Sequence, residues 1–148
     1  MKLPRLLISL LALAWVSIAA AKPRVIEISA NDQMKFSLTK IDAKPGEELT
    51  VVFTNNGTQP KEVMGHNWVL LKAGADAQAF ATASMTAKDT DYIPAAFKDQ
   101  VIAHTPTLGP RKSAQVTFKV PDAAGEYPFL CSFPAHYSIG MKGTLVAK

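Results

Sequence analysis

Short segments of alternating apolar and polar residues dominate the chain after residue 23. In "SAQVTFKV", residues 113–120, Ala114, Val116, Phe118 and Val120 fall on one side, as in a β-strand with one buried face. Further segments of this kind are 24–29, 34–38, 47–53, 66–72, 126–131 and 143–148. Polar turns rich in Asn, Gly and Pro separate them. Seven or eight such strands predict an all-β fold, an antiparallel sandwich of two sheets.

One segment, residues 73–100, interrupts this pattern because it is rich in alanine and has no β-branched alternation. We predict a short helix near residues 75–85, followed by a loop that contains Pro94. The segment therefore predicts a helical insertion that covers one side of the sandwich.

The N-terminus has the layout of an export signal. Lys2 and Arg5 precede an uncharged apolar run, and three alanines that end at Ala21 suit a signal peptidase. We predict that residues 1–21 are a cleaved signal peptide and that residues 22–148 form a single domain. A retained transmembrane anchor is the weaker alternative because the apolar run is short for a bilayer, so no membrane span is expected after cleavage.

The charge pattern argues against a nucleic-acid partner. The formal net charge is +4, and two of the basic residues lie in the predicted signal. The others are interspersed with acidic residues and form no basic run.

Three potential metal-binding side chains lie close together near the C-terminus. Cys131 is the only cysteine, His136 follows five residues later, and Met141 follows five residues after that. A lone cysteine in an exported protein suggests an intermolecular disulfide, a reactive thiol or a metal ligand. Because Pro134 interrupts a helix, we predict that Cys131 ends a strand, His136 lies in the middle of a loop, and Met141 begins the next strand. Such a donor set suits copper or zinc.

A trigonal copper site needs a second histidine, and the chain has two further candidates. His66 precedes an apolar strand at a turn where the loops of a sandwich meet, whereas His104 is expected to face solvent. We therefore select His66. Gly65 precedes it, and a residue without a side chain allows its carbonyl to approach a metal closely. Taken singly, Cys131 is more typical of a small buried side chain and each Met of a core residue, and it is their occurrence together in one loop that favours a metal site.

Several motifs closely resemble those of the azurins, type 1 blue-copper proteins of the cupredoxin family. The motifs are "NDQM" at 31–34, "MGHNWVLL" at 64–71, "VIAHT" at 101–105, "CSFPAH" at 131–136 and "MKGTL" at 141–145. The resemblance covers almost the whole chain after residue 21. It implies an eight-stranded Greek-key β-sandwich with a short helical insertion, and a single type 1 copper ion as the cofactor.

The resemblance also implies a role for each site residue. The equatorial copper ligands would be His66, Cys131 and His136. Met141 would be axial on one side, with the Gly65 carbonyl on the other. Asn67 would brace the ligand loops through hydrogen bonds.

The implied function is electron transport rather than catalysis. The chain would be a periplasmic monomer that carries one electron between redox proteins, such as c-type cytochromes or copper or haem reductases. The electron would leave through His136, which we expect on an exposed loop. An apolar docking patch would surround it, formed by Met34, Met64, Phe133, Pro134 and Ala135.

The chain departs from the azurin pattern at four places. Four residues separate His136 from Met141, where azurins usually have three, a spacing closer to plastocyanin or auracyanin. The N-terminal disulfide of azurins cannot form, so we expect hydrophobic packing to replace it. Asn55 stands where azurins have a buried histidine linked to pH dependence, so little pH dependence is expected. Ala135 replaces the usual glycine.

Three alternatives to an electron carrier remain open from the sequence. The chain could handle copper without rapid redox chemistry, or it could be a domain of a copper enzyme such as nitrite reductase. The latter needs a second copper site, which three histidines in total do not easily provide. It could also be a sandwich without a metal. Zinc, too, binds cysteine and histidine readily.

Overall fold

Eight strands and three short helices make up residues 22–148, the part of the chain that our computed structural model describes. The predicted signal peptide lies outside these residues. The strands are β1 Arg24–Ala30, β2 Lys40–Ala43, β3 Glu48–Asn55, β4 Val69–Leu71, β5 Val101–His104, β6 Lys112–Lys119, β7 Gly125–Leu130 and β8 Lys142–Ala147. The helices are α1 Lys61–Met64, α2 Ala77–Ser84 and α3 His136–Ile139, with 3₁₀ turns at Lys88–Thr90 and Ala95–Gln100.

The strands form two sheets, with the orders β1-β3-β6 and β2-β8-β7-β4-β5. The predicted eight-stranded sandwich with a helical insertion is thus confirmed. The prediction that it is purely antiparallel is wrong, because β1 pairs with β3 and β2 pairs with β8 in parallel. The chain crosses to the other sheet after β1 and returns for β3, so consecutive strands do not form a hairpin here.

The strand predicted at 34–38 is also wrong. Only an isolated bridge joins Ala30 to Phe36 in this segment. The Asn31 side chain accepts a hydrogen bond from the Gln33 amide at 3.0 Å, and Met34 has a positive φ of 54°. A residue in the left-handed region cannot continue an extended strand. The alternation of apolar side chains in residues 34–38 therefore does not correspond to a β-strand.

Aromatic side chains fill the space between the sheets. Phe36 lies 5.8 Å from Phe53 and 5.6 Å from Phe129 between ring centroids, and Trp68 lies 5.6 Å from Phe129. Gly143 on β8 faces Phe129 so closely that a Cβ atom would collide with the ring. This core fixes β7, whose end carries the predicted cysteine ligand.

A second apolar cluster lies on the outer face of the larger sheet. We call it the outer cluster; its buried members are Val69, Leu71, Phe80, Ile93 and Leu130. Helix α2 contributes Phe80 and begins where the Asp76 side chain accepts a hydrogen bond from the Ala79 amide at 2.9 Å. The helix predicted near 75–85 is therefore confirmed, and the insertion has its own packing surface.

An ion pair holds the start of β1 in place. From the sequence, hydrophobic packing alone was expected to replace the missing N-terminal disulfide. Arg24 donates to both carboxylate oxygens of Glu47, at 2.6 and 3.2 Å, and to the Asp42 carbonyl at 2.8 Å. Packing contributes further along the strand through the buried Ile28. Because the ion pair is partly exposed, we expect it to stabilise the fold by no more than about 1 kcal/mol.

Candidate metal centre

Three separate segments bring His66, Cys131 and His136 together at one end of the sandwich. Cys131 directly follows β7, His66 lies between α1 and β4, and His136 begins α3. All three side chains are buried, and their ligand atoms lie within 4.8 Å of one another. The His136 Nδ1 atom is 3.2 Å from the His66 Nδ1 atom and 3.5 Å from the Cys131 Sγ atom. One ion could therefore contact all three donors.

The backbone of His66 exchanges two hydrogen bonds with the backbone of Leu108. The His66 amide donates to the Leu108 carbonyl at 3.2 Å, and the Leu108 amide donates to the His66 carbonyl at 2.7 Å. Gly65 is required here for space, because a Cβ atom would lie 2.7 Å from both the Lys61 carbonyl oxygen and the Thr107 Cγ2 atom. Close packing thus explains this glycine without reference to a metal, and the role of its carbonyl stays a prediction.

The loop after Cys131 contains a helical turn, which the sequence analysis did not foresee. His136 is the first residue of α3 rather than the middle of an open loop, since Pro134 precedes the turn instead of interrupting it. Ala135 has a φ of 70°, a region that glycine adopts at less cost. Gly140, at φ 106°, ends the turn. The four residues between His136 and Met141 lie in this turn and its C-terminal cap.

Met141 is fully buried, and its backbone is hydrogen-bonded to the backbones of two of the three donor residues. Its amide donates to the His136 carbonyl at 3.0 Å, and its carbonyl accepts from the Cys131 amide at 3.1 Å. The position suits the predicted axial ligand, a role that remains a prediction.

The buried donors are electrically neutral near pH 7 in the absence of a metal. Burial raises the pKa of the Cys131 thiol to about 12. Burial, followed by the proximity of His66, lowers the pKa of His136 to about 4, and burial also lowers the pKa of His66. Both imidazoles therefore keep a lone pair available for a metal.

The thiolate form of Cys131 has hydrogen-bond support even though burial opposes it. The backbone amides of Asn67 and Phe133 both favour the thiolate and lower the pKa. A buried thiolate still needs a positive charge nearby. A soft cation between one sulfur and two imidazole nitrogens meets that need, so the residues fit copper.

Asn67 joins the two ligand-bearing segments. Its Nδ2 group donates to the Ser132 hydroxyl at 2.8 Å, and its Oδ1 atom accepts from the Ser132 amide at 2.8 Å. Both residues are buried. Because Asn67 follows His66 and Ser132 follows Cys131, the pair fixes the distance between these two donors.

Replacement of Asn67 by alanine is expected to lower the free energy of unfolding by about 1–3 kcal/mol and the copper affinity about 10- to 100-fold. The variant leaves the Ser132 amide and hydroxyl buried without their partner. Urea denaturation followed by the fluorescence of Trp68, the only tryptophan after residue 21, measures the first effect. Competition with a chelator measures the second. Asn56→Ala, at an exposed position, is the control; equal copper affinity in both variants would refute the bracing role.

The residues of the predicted docking patch have different exposures. Ala135 is exposed, Met34, Met64 and Pro134 are half-buried, and Phe133 is buried. The expectation that His136 is exposed is wrong, because the residue is only 3% exposed. The exposed Ala135 directly precedes it.

One apolar side chain near this patch was missed from the sequence. Met85, at the end of α2, is 56% exposed and lines a small cleft together with Phe133 and Ala135. Nothing in the local sequence indicates this position, because it depends on how the insertion packs against the ligand loop.

His104 lies outside the donor group and is exposed, as predicted. Within residues 22–148, the group of His66, Cys131 and His136 is the one place where at least three His, Cys, Asp or Glu side chains could hold a metal. No helix in this described part of the chain is both long and apolar enough to cross a membrane.

Comparisons with known proteins agree with this site. Residues 24–148 match the family model of copper-binding proteins, plastocyanin/azurin family. Azurin of Pseudomonas chlororaphis is 44% identical over 127 residues, which cover 83% of this chain and 97% of the relative. Azurin of Pseudomonas aeruginosa is 41% identical over 145 residues, 95% of each chain. The solved structure of auracyanin A, a "blue" copper protein from Chloroflexus aurantiacus, matches with a TM-score of 0.76 and 35% identity, covering 86% of this chain and 100% of that one.

Proposed function

The chain belongs to the plastocyanin/azurin family of copper-binding proteins, and on that premise we propose that it is a periplasmic blue-copper electron carrier. One observation carries the proposal most strongly: a buried thiol and two imidazole Nδ1 atoms converge in a chain of a copper-binding family. The predicted family and the predicted copper cofactor are thereby confirmed. The predicted export signal and the likeness to azurins support the periplasmic location.

In the proposed site, His66, Cys131 and His136 would hold the copper. Met141 and the Gly65 carbonyl would be additional, weaker ligands. The metal would supply one-electron chemistry between Cu(I) and Cu(II). A soft thiolate favours Cu(I), and imidazoles favour Cu(II).

The protein's own contribution is to keep the ligands in one arrangement in both oxidation states. The Met141 backbone bonds to Cys131 and His136, and the Asn67 side chain bonds to Ser132. These contacts involve backbone and amide groups rather than the metal, so they persist when its charge changes. A ligand set that does not rearrange allows rapid electron transfer.

We propose transfer through His136 to partners that dock briefly on the apolar patch around it. The patch comprises Met34, Met64, Phe133, Pro134 and Ala135, and Met85 extends it. Small apolar patches suit short-lived complexes between redox proteins. The partners we propose are redox proteins such as c-type cytochromes or copper or haem reductases. We also propose that the chain acts as a monomer and is an electron carrier rather than an enzyme.

Addition of Cu(II) to the purified metal-free protein tests the proposed site. We expect an intense blue absorption, from charge transfer between thiolate and copper, that saturates at one equivalent. A reductant should bleach it and reoxidation should restore it. A protein that stays colourless, or that binds zinc but not copper, would argue against an electron carrier.

The reduction potential is expected to vary little from about pH 5 to about pH 9, because Asn55 carries no titratable proton. Its Nδ2 group donates to the Leu108 carbonyl at 3.0 Å, and its Oδ1 atom accepts from the Gly57 amide at 2.8 Å. The same carbonyl accepts from the His66 amide, so position 55 communicates with a ligand. Voltammetry across this range measures the effect.

Asn55→His is the matched variant for that measurement. A histidine there should introduce a slope near its own pKa, since it would change charge beside the Leu108 carbonyl. A sloped potential in the unaltered protein would show that another group controls the pH dependence.

A further inference from the structure

We propose that Tyr137 is a positioning residue that anchors the turn between His136 and Met141 and so sets the geometry of both. The proposal rests on the proposed copper site. It concerns the longer spacing between these two residues, and it assigns a function to a side chain that lies outside the proposed ligand set.

Tyr137 is the one residue of this turn whose side chain is not exposed. Ser138, Ile139 and Gly140 are all exposed, and Ile139 is 52% exposed although it is apolar. Tyr137 is half-buried and packs against the outer cluster. The turn therefore has a single apolar anchor.

The outer cluster connects this anchor to the other ligand segment. Leu130 belongs to the cluster and directly precedes Cys131. Phe80 of α2 belongs to it as well. Tyr137 thus packs against the cluster that contains the neighbour of the cysteine, and the helical insertion contributes to that cluster through Phe80.

Lys142, just past the other end of the turn, contacts the Tyr137 ring. Its Nζ atom lies 4.5 Å from the centroid of the Tyr137 ring, a cation–π contact. A contact of this kind at an accessible site changes an equilibrium by a factor of about 2 to 5. Tyr137 follows His136 and Lys142 follows Met141, so the contact closes the turn at the two positions next to these donors.

Backbone hydrogen bonds also close the turn. The Met141 amide donates to the His136 carbonyl at 3.0 Å, and the Gly140 amide donates to the Tyr137 carbonyl at 3.0 Å. Gly140 is in the left-handed region and adds no side-chain packing. Without the ring of Tyr137, these bonds and the bond from the Cys131 amide to the Met141 carbonyl would remain, but the turn would lose its one side chain that packs against the rest of the protein.

Four variants of the full chain after signal removal test the proposal. Tyr137→Leu removes the ring, and Tyr137→Phe keeps it; Lys142→Met removes the cation, and Lys142→Arg keeps it. Ile139→Ala, in the same turn but exposed, is the control. Hydrogen exchange of the Met141 amide is measured by NMR in the metal-free and the copper-loaded protein, together with the reduction potential and the blue absorption.

We expect Tyr137→Leu to accelerate exchange of the Met141 amide about tenfold and Lys142→Met about 2- to 5-fold. Both should shift the potential and the blue band. Tyr137→Phe, Lys142→Arg and Ile139→Ala should stay close to the unaltered protein. Rescue by the two conservative variants separates positioning from a general loss of stability.

If Tyr137→Leu and Lys142→Met match Ile139→Ala in exchange, potential and absorption, the positioning role is wrong while the copper site stands. If the unaltered protein fails to turn blue with copper, the proposed function fails. In that case the exchange rates of the metal-free protein still decide whether Tyr137 anchors the turn.

Discussion

We expect replacement of Cys131 by alanine to abolish the blue absorption of the copper-loaded protein and to lower its copper affinity by at least about 100-fold. Removal of a residue that only hydrogen-bonds to a metal ligand can lower metal affinity by up to about 100-fold, and removal of a ligand itself should lower it further. Cys131 is the only thiol in the chain, so no other residue can supply the sulfur that the charge-transfer band requires. The measurement is a Cu(II) titration followed by visible spectroscopy.

His104→Ala is the matched control for this experiment. His104 is exposed and lies outside the donor group, so its loss should leave the blue band unchanged. Fluorescence of Trp68 verifies that each variant is folded. A blue band in folded Cys131→Ala protein would contradict the assigned ligand set.

The metal-free protein is expected to lose about 2 kcal/mol of stability between about pH 7 and about pH 4.5, through His136 alone. Burial and the neighbouring His66 lower the pKa of His136 to about 4 from an ordinary value of 6.5. Below pH 6.5 the unfolded chain binds a proton that the folded chain does not. The stability is therefore complete above this pH and decreases as the pH falls toward 4. Urea denaturation at a series of pH values measures it.

His136→Gln isolates this contribution because glutamine does not titrate. Its metal-free form should show a flatter dependence of stability on pH over the same range. The pH range of this experiment ends at about pH 4.5. Carboxylates such as Glu47 lose most of their own stabilisation at lower pH, because hydrogen bonds from Arg24 and the Lys44 amide lower the pKa of Glu47 to about 2. Identical curves for the two proteins would show that His136 is not held neutral by the fold.

The part of the site that depends on residue chemistry could be predicted from the sequence. A lone cysteine with His136 five residues later indicates a soft metal site. His66 was selected because it precedes a strand at the end where loops meet. The structure brings these three donors together. Local information sufficed since each donor lies at the end of a strand or beside a turn.

The part that depends on distant packing could not be predicted. The parallel pairing of β1 with β3 results from a crossing between sheets that no local pattern records. The helical turn at His136 depends on Ala135 adopting a left-handed conformation, which alanine rarely does. The position of Met85 depends on α2 packing beside the ligand loop. The strand pairing and the position of Met85 both follow from contacts between segments far apart in the chain.

Electron self-exchange tests the central claim most directly. Mixtures of the Cu(I) and Cu(II) forms are examined by NMR at several protein concentrations. A carrier whose ligands keep one arrangement should give exchange-broadened lines and a second-order rate constant on the order of 10⁵ M⁻¹s⁻¹ or more, a typical rate for productive protein encounters. Separate lines from the two forms, unchanged by concentration, would show that this chain holds copper without passing electrons.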